Sequence, residues 1–125
     1  MRRMTVCVDL DATLAFYNGW KGVDHIGHLL PGAKEFMDEL HKYSEIIIFT
    51  CRCHQDIHVG DLDQSKEAIK KWLDENEIPY DEIYSGQGKP IADLYIDDKA
   101  FEIGPHATRD EFSMAIETIK DRFGL

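Results

Sequence analysis

The acidic residues of this chain include two tight groups whose spacing could do chemistry. Asp9 and Asp11 directly follow the apolar segment 5–8, and Asp97 and Asp98 directly follow the segment 94–96. Carboxylates confined together raise one another's pKa unless a cation offsets their repulsion. An all-oxygen ligand set that leaves room for waters and phosphate oxygens is typical of Mg²⁺. The four residues therefore predict a magnesium site.

Further residues near these groups could bind an anion. Thr50 ends the aliphatic run 46–49 and offers a hydroxyl and a backbone amide, and Lys89 lies in the loop before segment 94–96 and offers a positive charge. Arg52 could help to bind substrate anions or could pair with the acidic surface, and both roles stay open. Such donors, together with a metal, could hold a phosphoryl group whose charge would otherwise repel an attacking carboxylate.

Short buried strands that alternate with amphipathic helices are the elements that must position these residues. The strand segments are 5–8, 45–49, 82–84 and 94–96. Their order with three intervening or following helices predicts an α/β protein, a three-layer α/β/α sandwich around a mostly parallel, Rossmann-like sheet. One domain is expected over residues 1–125. Ligands of such sheets bind beyond the carboxyl ends of the strands, where the acidic groups lie.

The predicted helices carry start and stop signals as well as apolar stripes. Pro31 suits the first position of a helix over about 31–42. Asp61 with Gln64 resembles a capping pair for the second helix, on which Trp72 is expected in the core. Thr108 with Glu111 forms a capping box for the last helix, and Gly124 follows its end. The stripe of that helix consists of Phe112, Ala115, Ile116 and Ile119.

Four motifs of this chain resemble, in order and spacing, those of the haloacid dehalogenase superfamily, over residues 9–98. They are Asp9-Leu10-Asp11-Ala12-Thr13, the strand Ile46-Ile47-Ile48-Phe49-Thr50, Lys89, and Tyr95-Ile96-Asp97-Asp98. The resemblance implies a Mg²⁺-dependent phosphomonoester hydrolase that works through an aspartyl-phosphate. Family members that cleave carbon–halogen bonds typically lack the second Asp of the first motif, so Asp11 favours a phosphatase over a dehalogenase.

The resemblance also implies a role for each matched residue. Asp9 would be the nucleophile. Asp11 would be the general acid and then the general base, with its backbone carbonyl on Mg²⁺. Thr50 and Lys89 would bind the phosphoryl oxygens, and Asp97, supported by Asp98, would complete the metal site.

Two departures from the family pattern are visible. Ala12 stands where the family most often has glycine, which could alter the turn slightly. The slots in which a substrate-specifying cap is usually inserted are short, since the first is only residues 14–30 and the second, 51–88, is filled by a loop, a helix and a strand. We expect a capless enzyme whose site is covered by the substrate, by a flap over 14–30 or by a neighbouring subunit of a homo-oligomer.

Two other clusters have competing interpretations. Cys51, Cys53, His54 and His58 could bind zinc, but no standard ligand spacing matches and a polar loop is favoured. In the flap, Trp20 with Phe16 and Tyr17 could stack on a base or sugar of the substrate. Ordinary hydrophobic cover explains the same residues equally well.

Composition narrows the partners and the compartment. The chain has 14 lysines and arginines against 24 aspartates and glutamates, a formal charge of −10. That charge disfavours extended nucleic acid and acidic membranes. No apolar run is longer than that of residues 46–49, which has four residues, whereas a membrane span needs roughly twenty. An odd number of cysteines and no recognisable secretion signal favour the cytoplasm.

The expected function is hydrolysis of a phosphorylated small molecule or macromolecule. One alternative is a catalytically silent phosphate-binding or scaffolding protein, although such a protein has no use for the acid Asp11. A receiver-like signalling domain is rejected because its phosphorylated Asp follows the third strand and its acidic pair the first. A zinc-binding adaptor built on residues 51–58 is the third alternative.

Overall fold

The structure is a computed structural model that describes residues 3–53, 62–86 and 88–125. Its helices are α1 (Ala33–His41), α2 (Leu62–Glu75) and α3 (Arg109–Phe123), and its strands are β1 (Met4–Val8), β2 (Ser44–Ile48), β3 (Glu82–Ile83) and β4 (Leu94–Ile96). A single 3-10 turn, Cys51–Cys53, follows β2. The described part of the slots 14–30 and 51–88 contains no inserted cap domain, only isolated bridges, this turn, α2 and β3.

The sheet has four strands in the order β3-β2-β1-β4, and every neighbouring pair is parallel. Val8 at the end of β1 lies beside Ile48 on one side and Ile96 on the other. The chain runs outward from β1 through β2 to β3 and then returns to the other side of β1. The predicted α/β class with a parallel sheet is confirmed, and the strand order reverses between β1 and β4.

One face of the sheet forms the core with α1 and α2. Val6 and Val8 of β1 and Ile46 and Ile48 of β2 are fully buried, and they pack with Met37, Ile69 and Leu73 from the two helices. Each such side chain contributes about 1.5–3 kcal/mol when it is removed from water. Trp72 is buried as expected, and its indole N–H donates to the carbonyl oxygen of Gly27 at 2.9 Å.

The capping box of α3 is confirmed. The Glu111 amide donates to Thr108 Oγ1 at 3.2 Å, the Thr108 hydroxyl donates to Glu111 Oε1 at 3.3 Å, and Gly124 ends the helix with φ 69°. The apolar stripe behaves differently, because Phe112 is 54% exposed and Ile116 48% exposed, and no residue of α3 is buried. The ends of α3 are therefore fixed by its capping interactions, while none of its side chains is fully buried against the rest of the domain.

Some predicted boundaries are wrong. Gly32 is the N-cap of α1 with φ 86°, a left-handed conformation that favours glycine, so Pro31 lies outside the helix instead of at its first position. Strand β2 begins and ends one residue earlier than expected. Asp61 lies outside the described residues, and its capping pair with Gln64 stays a prediction. Among the helices that the structure describes, none has the length and apolar character needed to cross a membrane.

Candidate functional site

Three of the four predicted acidic residues meet at the carboxyl ends of β1 and β4. Carboxylate oxygens of Asp9, Asp97 and Asp98 all lie within 4.8 Å of one another. The pairing of the two strands brings them together, since the Asp9 amide donates to the carbonyl oxygen of Ile96 at 3.0 Å. The expected convergence is confirmed for this acidic trio, which has the all-oxygen donor set that a hard divalent cation requires.

The negative charge of the acidic trio is only partly offset by the ion pair of Lys99 with Asp98. Burial, and then the charges of Asp97 and Asp98, raise the pKa of Asp9 to about 7, against an opposing hydrogen bond from the Leu10 amide at 2.8 Å. Burial also acts to raise the pKa of Asp98, but the hydrogen bond from Lys99 at 3.0 Å holds it below its usual range. A divalent cation would relieve the repulsion and favour the ionised form of Asp9.

Thr50 and Lys89 both lie beside Asp9 and Asp97. Thr50 is buried, and its hydroxyl oxygen accepts a hydrogen bond from the Arg52 amide at 3.3 Å. It lines a pocket of about 230 Å³ with Asp9 and Asp97, which we call the strand-end pocket. Lys89 lines a neighbouring pocket of about 160 Å³ with the same two aspartates, and its ammonium lies 4.0 Å from the centroid of the Tyr95 ring.

Asp11 does not join the acidic trio, because Arg52 holds its carboxylate. Arg52 Nε donates to Asp11 Oδ2 at 2.7 Å and Nη2 donates to Oδ1 at 3.0 Å. Arg52 is only 7% exposed, so this ion pair is largely shielded from water. The sequence left two roles open for Arg52, which were to bind substrate anions or to pair with the acidic surface. In the structure Arg52 pairs with an acid, but that acid is the catalytic candidate Asp11 and not a residue of the outer surface. Both oxygens of Asp11 accept hydrogen bonds in this arrangement.

Residues 14–30 form a flap with defined contacts. The Phe16 amide donates to the His28 carbonyl oxygen at 2.8 Å, and the Leu30 amide donates to the Leu14 carbonyl oxygen at 2.8 Å. Gly27 passes so close to this ladder that a Cβ there would lie 1.9 Å from the carbonyl oxygen of Phe16. Only glycine fits, and the Trp72 indole holds the same residue from α2. The flap is therefore packed on the domain.

Ala12, in the turn between Asp9 and the flap, adopts a left-handed backbone conformation of the kind that favours glycine. Ala12 has φ 65°, in the left-handed region that L-residues other than Asn and Asp rarely adopt. Its amide donates to the Ala15 carbonyl oxygen at 2.8 Å, and Asp11 forms a bridge with Ala15. The alanine therefore preserves the turn.

The aromatic side chains of the flap contact other side chains. Phe16 stacks on His28 with ring centroids 4.9 Å apart and planes 11° apart. The guanidinium of Arg52 lies 4.9 Å from the centroid of the Trp20 ring, and Arg52 Nη2 also donates to the His25 carbonyl oxygen at 2.9 Å. Arg52 thus joins Asp11 to the flap. Nothing in the sequence spacing pointed to this connection, since Arg52 and Asp11 are 41 residues apart.

The candidate zinc cluster is only partly described. Cys51 is exposed and Cys53 is buried, and both are free thiols. Burial raises the pKa of each thiol, and the charge of Asp9 adds to the effect at Cys51. His54 and His58 lie outside the described residues, so the choice between a zinc site and a polar loop stays a prediction. In the described ranges, only the acidic trio has the geometry to share a cation.

Comparisons with known proteins identify a related structure but assign no activity to this chain. No protein-family model matches this chain, and neither does any curated protein. A crystal structure of an MCSG target from Vibrio cholerae is 30% identical and is matched over 94% of this chain and 100% of that chain, with a TM-score of 0.53. At that identity over nearly the whole of both chains, the two proteins belong to one family. The relationship supports the fold and assigns no function.

Proposed function

We propose that this protein is a capless Mg²⁺-dependent phosphomonoesterase, similar to the haloacid dehalogenase superfamily, that works through an aspartyl-phosphate. The observation that carries the proposal is the acidic trio, whose oxygens lie within 4.8 Å of one another at the switch point of the sheet. Thr50 and Lys89 beside it supply uncharged and positive donors for a phosphate. This group of residues best supports a site that binds an anion and carries its own nucleophile, Asp9.

Each residue would have a distinct part in the reaction. An oxygen of Asp9 attacks phosphorus as the bond from phosphorus to the leaving oxygen breaks. The leaving oxygen takes a proton from Asp11. Water then attacks the phosphorus of the aspartyl-phosphate and gives a proton to Asp11, which regenerates Asp9 and releases inorganic phosphate. Thr50 donates a hydrogen bond to the non-bridging oxygens, and the Lys89 ammonium offsets part of their negative charge. Mg²⁺, held by the acidic trio, would supply further neutralisation of the same oxygens when bound.

A second candidate function, a phosphate-binding protein without turnover, is favoured by one observation. Both oxygens of Asp11 accept hydrogen bonds from Arg52. To act as a general acid, Asp11 would have to carry a proton on an oxygen that the guanidinium now occupies. A protein fixed in this arrangement could bind phosphate and not release an alcohol. Turnover separates the two functions, because only the phosphatase converts a phosphomonoester to inorganic phosphate.

The test is hydrolysis of an aryl phosphate by the purified protein with Mg²⁺ or with EDTA. We expect activity only with Mg²⁺, and a loss of at least about a thousandfold in Asp9→Asn, because an amide is a poor nucleophile. Asp38→Asn, on the exposed side of α1, is the matched control and should keep full activity. Undiminished turnover in Asp9→Asn would remove Asp9 from the mechanism. Phosphate binding without turnover would favour the second candidate.

The proposed setting is a reducing cytoplasm, in keeping with three free thiols among the described residues. The substrate is proposed to be a small phosphorylated molecule, since a net charge of −10 repels extended nucleic acid. A homo-oligomer remains part of the proposal as one way to exclude water from a site without a cap.

A further inference from the structure

Flap residues and Arg52 line an open pocket of about 260 Å³ that the proposed phosphoryl chemistry does not use. We call it the flap pocket. Its charged and imidazole-bearing lining residues are Lys21, His25, His28 and Arg52, and its lining contains no Asp or Glu. The whole chain has 24 acids against 14 Lys and Arg residues, so a lining with two cationic residues and no acid departs from its average composition. The lining favours an anion.

Phe16 and Tyr17 are the Phe and Tyr residues that line the flap pocket, and one face of Phe16 is covered by His28. The Trp20 ring lies outside this lining, against the Arg52 guanidinium. Lys21, by contrast, has no hydrogen bond or ion pair with any residue in the described part of the chain. Arg52 Nη1 makes only a long contact of 3.5 Å with the Val23 carbonyl oxygen, which leaves donor capacity on a side chain that is 7% exposed.

The flap pocket and the strand-end pocket meet at the 3-10 turn, because Arg52 lines the first pocket and its neighbours Cys51 and Cys53 line the second. Arg52 lines the flap pocket and binds the Asp11 carboxylate, and Asp11 lies two residues after the proposed nucleophile Asp9. Consecutive Cα atoms are about 3.8 Å apart, so a ligand whose anionic groups lie on the order of 10 Å apart has the length to reach from one pocket to the other.

We propose that the flap pocket binds a second anionic group of the substrate, a carboxylate or a phosphate, while the phosphoryl group to be transferred lies against Asp9. The inference rests on the proposed function and narrows its substrate class to small phosphomonoesters that carry another anionic group. Lys21 and the unused donors of Arg52 bind that group. A new acceptor for Arg52 also competes with the hydrogen bonds that Arg52 donates to Asp11.

Calorimetric binding of phosphonates to the whole protein with Mg²⁺ tests this proposal without turnover. The ligands are ω-phosphonocarboxylates and α,ω-bisphosphonates of increasing length, each compared with the alkylphosphonate of equal length. We expect the second anionic group to tighten binding about tenfold at the best length, the size of effect that charge-assisted hydrogen bonds give. The carboxylate and bisphosphonate series show which anion the pocket prefers.

Variants assign the effect to the flap pocket. Lys21→Gln should abolish the advantage of the second anionic group, whereas Lys70→Gln, an exposed lysine of α2, should retain it. Equal affinity for the paired ligands at every length would overturn the proposal, as would an advantage that survives in Lys21→Gln.

Hydrolysis measured in parallel keeps the two proposals apart. If no phosphomonoester is hydrolysed but the advantage of the second anion is present and depends on Lys21, the phosphatase proposal fails and the anion site stands. If aryl phosphate is hydrolysed but the paired phosphonates bind equally, the phosphatase stands and the anion site fails.

Discussion

Replacement of Asp9 by asparagine should stabilise the metal-free protein at neutral and higher pH. Burial and the charges of Asp97 and Asp98 raise the pKa of Asp9 to about 7, so its ionised form is unfavourable in the folded chain. Asparagine has nearly the same shape, and its side-chain oxygen can still accept the hydrogen bond from the Leu10 amide. The substitution removes the charge and leaves the packing intact.

The size of the effect follows from the difference between the folded pKa of about 7 and the ordinary value of 3.8. At about 1.36 kcal/mol per pKa unit, this difference corresponds to at most about 4 kcal/mol. Asp9 borders an open pocket, and solvent screening there lowers the expected gain to ~2 kcal/mol. A gain of that size is a large fraction of the stability of a small domain.

The sign of the pH dependence is fixed by the direction of the pKa change. Between about pH 4 and pH 7 the folded chain keeps a proton on Asp9 that the unfolded chain has lost, so the stability of the parent protein falls as pH rises through this range. Asp9→Asn has no such titration. The stability advantage of the variant should therefore be small near pH 4 and reach its full size above about pH 7.

Urea unfolding in EDTA at a series of pH values between about 5 and 8 measures this advantage. Glu45→Gln, an exposed residue of β2, makes the same change in net charge and should show no comparable trend. With Mg²⁺ present, the parent protein should gain stability through metal binding and Asp9→Asn should gain much less. A variant that is less stable than the parent protein at pH 8 in EDTA would refute the electrostatic reasoning.

Substitutions at Asp97, Arg52 and Gly27 test separate parts of the site. Asp97→Asn should weaken Mg²⁺ binding by about tenfold or more in calorimetry, while Cys51→Ser leaves it unchanged; equal effects would contradict the assignment of the metal ligands. Arg52→Met should lower the free energy of unfolding by ~2–4 kcal/mol, because Asp11 loses its partner in a shielded pair, and Arg52→Lys should restore only part of it. Gly27→Ala should cost ~1–3 kcal/mol through the clash with the Phe16 carbonyl oxygen and weaken phosphonate binding, and a neutral result would show that the flap shifts freely.

The sequence predicted those features that depend on neighbouring residues or on general rules of parallel sheets. The capping box of α3 needs only Thr108 and Glu111, and the meeting of Asp9 with Asp97 follows once β1 and β4 are neighbours. The left-handed Gly32 that displaced the start of α1 was missed, because Pro31 offered a competing start signal. Local patterns thus predicted that Asp9 and Asp97 lie close together, but they predicted the start of α1 less accurately.

Features that depend on tertiary packing could not be read from the chain. The pair between Arg52 and Asp11 joins positions 41 residues apart and forms because the 3-10 turn after β2 lies against the flap. The apolar stripe on α3 has no fully buried side chain, because Phe112 and Ile116 are exposed and Ala115 and Ile119 are half-buried. Periodicity predicts which face of a helix is apolar but not what covers that face. The flap aromatics likewise gave no sign that Arg52 and His28 would contact them.

The proposed phosphatase and the proposed anion site together predict how catalysis by Asp11 depends on the substrate. An aryl phosphate cannot draw Arg52 away from Asp11, and its leaving group needs little protonation, so Asp11→Asn should cost this substrate only a few-fold in kcat/KM. An alkyl phosphomonoester with a second anionic group should lose about a hundredfold or more, because it engages Arg52 and also needs the acid.

The comparison separates a general acid from a residue that only supports the flap. Loss of flap support would reduce binding of both substrates alike, and the fall would reside in KM. Loss of the acid lowers kcat/KM for the alkyl ester far more than for the aryl ester, because only the first step needs it, whereas loss of the base slows hydrolysis of the shared aspartyl-phosphate and lowers kcat for both. Equal losses of kcat/KM for the two substrates would contradict the role of Asp11 as an acid, even if Asp9 and the acidic trio prove essential.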